Sequence, residues 1–200
     1  MAIAKTLASK RAMNRSPETI NLLLTRRSLL AAKLVEPGPT QEELQTILRC
    51  GARVPDHKGV NPWRIQVADR ATQDTFHSQL PSLPSGNPAS LEKTLSKEAK
   101  TAPLLLIVSS QTTSDRAPRI EQLLSGAAVC QNIIIAAAAF GYRSQWLTEW
   151  FAYSDKVKTL LGIPTTEDII GFLYIGSESK IPKERPRPDL SQIVSKLQLP

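Results

Sequence analysis

No two of the nine glycines stand two positions apart, so the chain contains no G-x-G and cannot carry the dinucleotide fingerprint of a Rossmann fold. The phosphate loop G-x-x-x-x-G-K-[ST] is missing as well, and so are G-x-S-x-G, H-E-x-x-H and C-x-x-C. Two histidines, His57 and His77, are too few for a multi-histidine metal site in one chain, and no metal is expected. No local signature supports a Ser–His triad. Two cysteines, Cys50 and Cys130, exclude a disulfide scaffold and suit a reducing compartment. Each falls in an expected helix among apolar neighbours and reads as a small buried hydrophobe. No run approaches the ~20 apolar residues of a membrane helix. The longest, residues 133–140, is short and follows Gln131 and Asn132, so a soluble protein with no membrane partner is expected.

What is there is an ordinary globular composition, 41% hydrophobic and 22% charged over 200 residues, enough for one domain. Lys and Arg outnumber Asp and Glu 25 to 18, a net charge of +7 that admits an anionic ligand or nucleic acid as partner. Much of the excess is terminal. Lys5, Lys10, Arg11 and Arg15 meet no acid within residues 1–16, and residues 180–187 hold four cations against Glu184. Residues 1–16 read as a flexible basic arm of a cytoplasmic protein, with an organelle address as the alternative, and residues 17–200 as one domain.

Ser16, Pro17 and Glu18 read as N-cap, N1 proline and early acid of a helix running through Leu22, Leu23 and Leu24 to about Arg27. Thr40 and Glu43 form a capping box for a helix with Leu44, Ile47 and Leu48 on one face and a stop at Gly51. Two prolines and a glycine make 54–62 a loop; 63–68 reads as a strand, 71–80 as a short helix and 81–90 as a loop. A polar helix is expected over 91–100 and a buried strand over 104–108. A long helix should run from about Pro118 to Phe140, its Ala-rich second half buried on several sides, and end at Gly141. Ser154 and Asp155 open a helix closing at Gly162, 169–175 is a strand, and a Pro- and Arg-rich tail follows. The order is α+β, with several helices around a small sheet.

Four groups of residues could carry chemistry, and each also has a plainer reading. Arg26, Arg27 and Ser28 either complement a helix end or assemble guanidinium forks and a hydroxyl for a phosphate or anionic ring. Residues 53–63 hold Arg53, Asp56, His57, Lys58, Asn61 and Trp63 on one stiff loop, either a solvated turn or a ligand contact. Residues 145–150 follow the long helix directly, and their two tryptophans, Trp146 and Trp150, four apart, read most simply as core residues. Arg185 and Arg187 flank Pro186; an extended Arg-x-Arg sets both cations on one side, where they could clamp a phosphate, or they form a basic tail.

Taken in order, Arg-Arg-Ser at 26–28, Pro-Asp-His-Lys at 55–58, Asn-Pro-Trp at 61–63 and Trp-Leu-Thr at 146–148 form a pattern with Gly-Phe-Leu-Tyr-Ile-Gly at 171–176 and Arg-Pro-Arg at 185–187. It resembles the nitroreductase family of FMN-dependent NAD(P)H oxidoreductases, in particular its smaller members, over about residues 17–195. The resemblance implies an α+β nitroreductase-like fold, a central mixed sheet flanked by helices with a long central helix, assembled as an intertwined homodimer with FMN at the interface. It implies FMN contacts from Arg26, Arg27 and Ser28, from Trp146, Leu147 and Thr148, and, at the phosphate, from Arg185 and Arg187. Arg53, His57 and, more weakly, Asn61 would reach the flavin of the second subunit. Ala136, Ala137, Ala138, Ala139, Phe140 and Gly141 would lie near NAD(P)H. The implied reaction is a ping-pong transfer from NAD(P)H through FMN to a small electron-poor acceptor, a nitroaromatic or a quinone, with no protein nucleophile.

Hydride chemistry of that kind asks the protein for stacking, orientation and charge, which accounts for the poverty of catalytic motifs. The chain departs from the family at Tyr142 to Gln145, where small members are Gly-rich, and at Glu149 and Trp150, where they have small residues; both bear on the substrate pocket. The alternatives are a flavoenzyme of the same fold with other chemistry, dehalogenation or flavin breakdown, and a basic nucleic-acid-binding protein. Against the last, the arginines are not interleaved with aromatics along a groove-fitting helix or ribbon.

Overall fold

The computed structural model describes residues 15–83 and 102–199. Nearly all of the expected arm, most of the 81–90 loop and the helix expected over 91–100 lie outside the described residues. Ser16 accepts from the Thr19 N–H and Pro17 opens α1 (Pro17–Thr25). The helix stops short of Arg27 because Arg26 already has extended backbone, and the chain runs on to β1 (Leu34–Val35). Thr40 and Glu43 close the capping box of α2 (Gln41–Gly51). Gly51 is not a left-handed stop. It sits inside the helix, where a Cβ would stand 2.6 Å from Ile133 Cγ1, so it serves close helix packing. The buried stripe of α2 is Leu44, Ile47 and Gly51, which leaves Cys50 at its edge and exposed, against expectation. Cys130 is buried as expected, and desolvation pushes its thiol up to about 12.

β2 (Trp63–Ala68) and α3 (Arg70–Gln79), capped by Asp69, lead to β3 (Leu104–Gln111). The continuous apolar run of β3 is buried on both faces. Leu105 and Ile107 pack with Phe76, Phe151 and Phe172, while Leu104, Leu106 and Val108 pack with Leu44 and Ile47 of α2 and Val129 and Ile133. Those last two belong to α4 (Arg119–Ala139), 21 residues long. By length and mean hydropathy, 1.5 over its most apolar window, α4 is apolar enough to cross a membrane, which the sequence reading did not anticipate. Half of that window is buried inside the protein, and core packing on several sides accounts for the composition.

The stretch after α4, to which the sequence alone assigned no strand, is β4 (Arg143–Leu147). Arg143, Ser144 and Gln145 show no apolar alternation, so only pairing with a neighbour reveals the strand. α5 (Asp155–Leu160), β5 (Glu167–Glu178) and a tail containing α6 (Leu190–Ile193) complete the chain. Strand order is β1–β5–β3–β2, with β4 also on β5. Every pairing among the described residues is antiparallel, which corrects the expected mixed sheet. A helix between strands allows return in either sense, and here each return is antiparallel to its neighbour.

Candidate functional site

Beyond α1 the chain runs alongside β4. The Leu29 N–H donates to the Ser144 carbonyl at 3.1 Å, and the Ala31 N–H donates to the Gln145 side-chain oxygen. Arg26 and Ser28 lie on this segment, the first half-buried and the second exposed. The Arg27 side chain is only 12% exposed; its Nε and Nη2 donate to the Lys183 carbonyl at 3.2 and 2.8 Å. That fork draws the C-terminal segment onto the end of the first helix.

Glu184 follows Lys183 directly. Its Oε1 accepts from Arg187 Nη2 at 2.7 Å and from the Arg185 backbone N–H at 2.9 Å, and stands 3.6 Å from Arg27 Nε. Two donors thus converge on one carboxylate oxygen, with the Arg27 guanidinium in ion-pair range beside them. They hold the Glu184 carboxyl below its ordinary value, the Arg185 N–H most of all. Around Glu184 the structure thus brings the Arg27 guanidinium, from the end of α1, together with the Arg187 guanidinium and the Arg185 backbone N–H of the tail.

Trp146 and Thr148 border a cavity of about 440 Å³ with Leu124, Ala127, Lys158 and Asp168. The Trp146 indole N–H donates to the Ile170 carbonyl at 3.0 Å and lies over Gly171, where any Cβ would collide with the ring. Leu147 packs with the Phe76–Phe151–Phe172 cluster instead, because neighbouring strand residues point to opposite faces. The Lys158 side chain is nearly buried; its Nζ donates to the Thr165 carbonyl at 3.2 Å and stands 3.3 Å from Asp155 Oδ1.

The loop at 53–61 is built around Asp56, whose two carboxylate oxygens accept from the Val60 N–H at 3.1 Å and the Asn61 N–H at 2.8 Å. Lys58, Gly59 and Asn61 all have positive φ in this turn, and the Asn61 amide donates to the Gly59 carbonyl at 3.0 Å. One side of α4 pins the loop down. Asn132 Nδ2 donates to the Arg53 carbonyl at 2.9 Å, and Ser125 Oγ donates to the Pro55 carbonyl at 2.9 Å. Glu121 Oε2 lies 2.6 Å from His57 Nδ1. Facing a carboxylate, Nδ1 carries the proton, so Nε2 is the ring atom left for a ligand. His57 and Glu121 border a second cavity, of about 590 Å³, and Leu124 lines both cavities.

Within one chain the Arg53–His57–Asn61 loop and the Arg27–Arg185–Arg187 group share no hydrogen bond among the described residues, so the structure does not join them. The stretch expected near the nicotinamide fares differently. Ala136 and Ala137 are core residues and present no surface to a nucleotide, because the last turns of α4 pack against α2 and the sheet. Ala138 is half-buried, while Ala139, Phe140 and Gly141 are exposed. Sequence reasoning missed Glu121, Lys158 and Glu184, and named Asp56 without its part in shaping the loop. Glu184 was visible as the lone acid in a basic run, and Glu121 with Ser125 as polar residues one helical turn apart. Among the described residues no cluster of His, Cys, Asp or Glu could hold a metal ion.

The family model of the nitroreductase family matches residues 26–177. YdjA of Escherichia coli strain K12, provisionally named an NAD(P)H nitroreductase, is 32% identical over 167 residues, 80% of this chain and 88% of YdjA. Among solved structures, a nitroreductase-like family protein from Bacillus cereus superposes with a TM-score of 0.79 at 21% identity, over 93% of this chain and 99% of that one. A nitroreductase from Bacteroides fragilis with bound FMN gives a TM-score of 0.73 at 19% identity, over 92% and 100% of the two chains.

Proposed function

The chain belongs to the nitroreductase family, and from that premise we propose that it is an FMN-dependent oxidoreductase passing electrons from NAD(P)H to an electron-poor small molecule, a nitroaromatic or a quinone, by a ping-pong cycle. The observation that carries the reading is the convergence of Arg27, Arg187 and the Arg185 N–H on one anionic oxygen. Two guanidinium groups and a backbone N–H are the donor set a phosphate monoester asks for, supplied here without a glycine-rich loop. FMN, when bound, supplies the two-electron hydride chemistry that no side chain of this protein offers.

The residues then divide by task. Arg27, Arg185 and Arg187 hold the phosphate, Arg26 and Ser28 meet the ring edge, and Trp146 with Thr148 wall the ring. Arg53, His57 and Asn61 belong to the site of the second subunit in a homodimer, and Glu121 fixes the ring orientation of His57. Of the stretch assigned to the nicotinamide nucleotide, the exposed Ala139, Phe140 and Gly141 are the part that remains. The reading places one FMN-binding domain over residues 17–200, behind a basic arm, in a reducing cytoplasm that keeps Cys50 and Cys130 as the free thiols they are.

The purified protein is expected to be yellow and, on heating or acid treatment, to release FMN at about one per subunit. In Arg187→Ala, one charge-assisted contact worth about 1.5–3 kcal/mol is lost, so FMN affinity should fall at least about tenfold. Riboflavin, with no phosphate, should be affected far less. A colourless protein that does not quench added FMN, or one that releases only FAD, would overturn the reading.

A further inference from the structure

Resting on the phosphate assignment above, we propose that Glu184 is a resident competitor for the FMN phosphate: its carboxylate fills the anion position made by Arg27, Arg187 and the Arg185 N–H, and the phosphate binds by displacing it. Glu184 Oε1 accepts from Arg187 Nη2 at 2.7 Å and from the Arg185 N–H at 2.9 Å, and Arg27 Nε stands 3.6 Å away as an ion-pair partner. The group at that point is a carboxylate supplied by the chain itself, one residue before the first of the two tail arginines.

Two features make Glu184 a competitor and not a scaffold. Arg27 is held independently of it, forked onto the Lys183 carbonyl and largely covered, so the main guanidinium keeps its place when the carboxylate leaves. Glu184 itself is exposed, with 60% of its side chain open to solvent, and Arg187 is likewise open. Exposed ion pairs are weak and exchange readily. A phosphate monoester offers three oxygens, so each cation and the N–H can face its own, whereas one carboxylate oxygen is shared between two hydrogen bonds and the Arg27 ion pair. A displaced Glu184 also stays close by, tethered to the same short segment, where its charge opposes the phosphate. The residue therefore lowers affinity for the phosphate and leaves affinity for the flavin ring untouched.

Glu184→Gln keeps the side-chain size and an acceptor oxygen for the Arg185 N–H while removing the charge. The exposure of the residue makes a folding defect in this variant unexpected, and thermal melting alongside verifies it. Wild type and variant, freed of flavin, are titrated with FMN and with riboflavin at low salt, reading flavin fluorescence. The expected result is FMN binding about two- to five-fold tighter in the variant, the worth of one exposed ion pair, with riboflavin binding unchanged. Equal or weaker FMN binding would show Glu184 to be a support for the arginines and overturn the inference, as would an equal gain for riboflavin. Arg187→Ala separates this from the reading beneath it. If Arg187→Ala weakens FMN while Glu184→Gln does not tighten it, the phosphate assignment stands and the competitor falls. If wild type binds no FMN at all, both fall together.

Discussion

His77 illustrates how one residue can tie stability to pH. Its Nε2 lies 3.0 Å from the Tyr174 hydroxyl, and the two rings stack with centroids 6.1 Å apart. Burial holds the imidazole below its ordinary value, and the charge of Asp74 one turn earlier opposes the shift without cancelling it. Tyr174 titrates far above the neutral range, raised by burial and by Glu149, so the histidine is the group that changes charge first. A histidine whose folded value is depressed is neutral in the native protein, and the unfolded chain takes up the proton more readily. Stability is therefore full above the unfolded value of about 6.5 and is lost as pH falls below it, until the folded value is reached. The melting temperature should decline as pH falls below about 6.5. His77→Gln should cost about 1 kcal/mol of stability at neutral pH, through the altered contact to Tyr174, and flatten this part of the decline. An unchanged slope in the variant would assign the pH dependence to other groups. The same scale explains why the anion site was only half legible. Arg27, Arg185 and Arg187 could be suspected from residue type, but the acid that joins them could not, since an isolated Glu in a basic run usually serves only to solvate it.

At the scale of elements, what is local in the chain was readable and what depends on a neighbour was not. The caps of α1 and α2 are closed by side chains within three residues of their helix starts, and both helices begin where Ser16 and Thr40 say they should. The apolar run of β3 needs no partner to be recognised. β4 is different: its polar residues become a strand only against β5, and Gly51 acquires its purpose only from Ile133 of another helix. The junction of β4 and β5 makes this testable. Gly171 stands under the Trp146 indole, and the ring is fixed there by its bond to the Ile170 carbonyl. Gly171→Ala should force Trp146 out of place, break that hydrogen bond, and cost about 1–3 kcal/mol as overpacking does. Urea unfolding followed by tryptophan fluorescence reads both the loss and the altered environment of the ring. Combining the change with Trp146→Leu should recover part of the loss, because the two positions are coupled through one contact. Additive losses would mean that the close approach is not what the glycine is for.

At the scale of the whole molecule, the described residues leave apolar surface exposed. Ile20, Leu23 and Leu24 on α1, with Ile120 and Leu124 on α4, are exposed large hydrophobics on two helices that touch each other. In the tail, Leu190, Ile193, Val194 and Leu197 are exposed as well, the last at 79%, and α6 buries nothing. Left in water, such surface forfeits about 25 cal/mol per Å², and isolated soluble chains rarely carry it in large patches. In the proposed homodimer, a tail of this composition, anchored at Arg27 and open beyond Arg187, would be the arm that closes over the second subunit. The separation of the Arg53–His57 loop from the arginine clamp within one chain fits the same arrangement, with each site completed across the interface. Sedimentation at micromolar concentration should then give about twice 22.0 kDa. Ile193→Glu combined with Leu197→Glu sets two charges in the arm and should shift the protein to the monomer, with FMN occupancy lost in step, because the loop and the clamp would no longer meet. Circular dichroism should show the fold intact, since neither side chain contributes to either core. A monomeric variant that keeps its full complement of FMN would mean that one chain builds the whole site, and the assignment of Arg53, His57 and Asn61 to a neighbouring subunit would have to be given up.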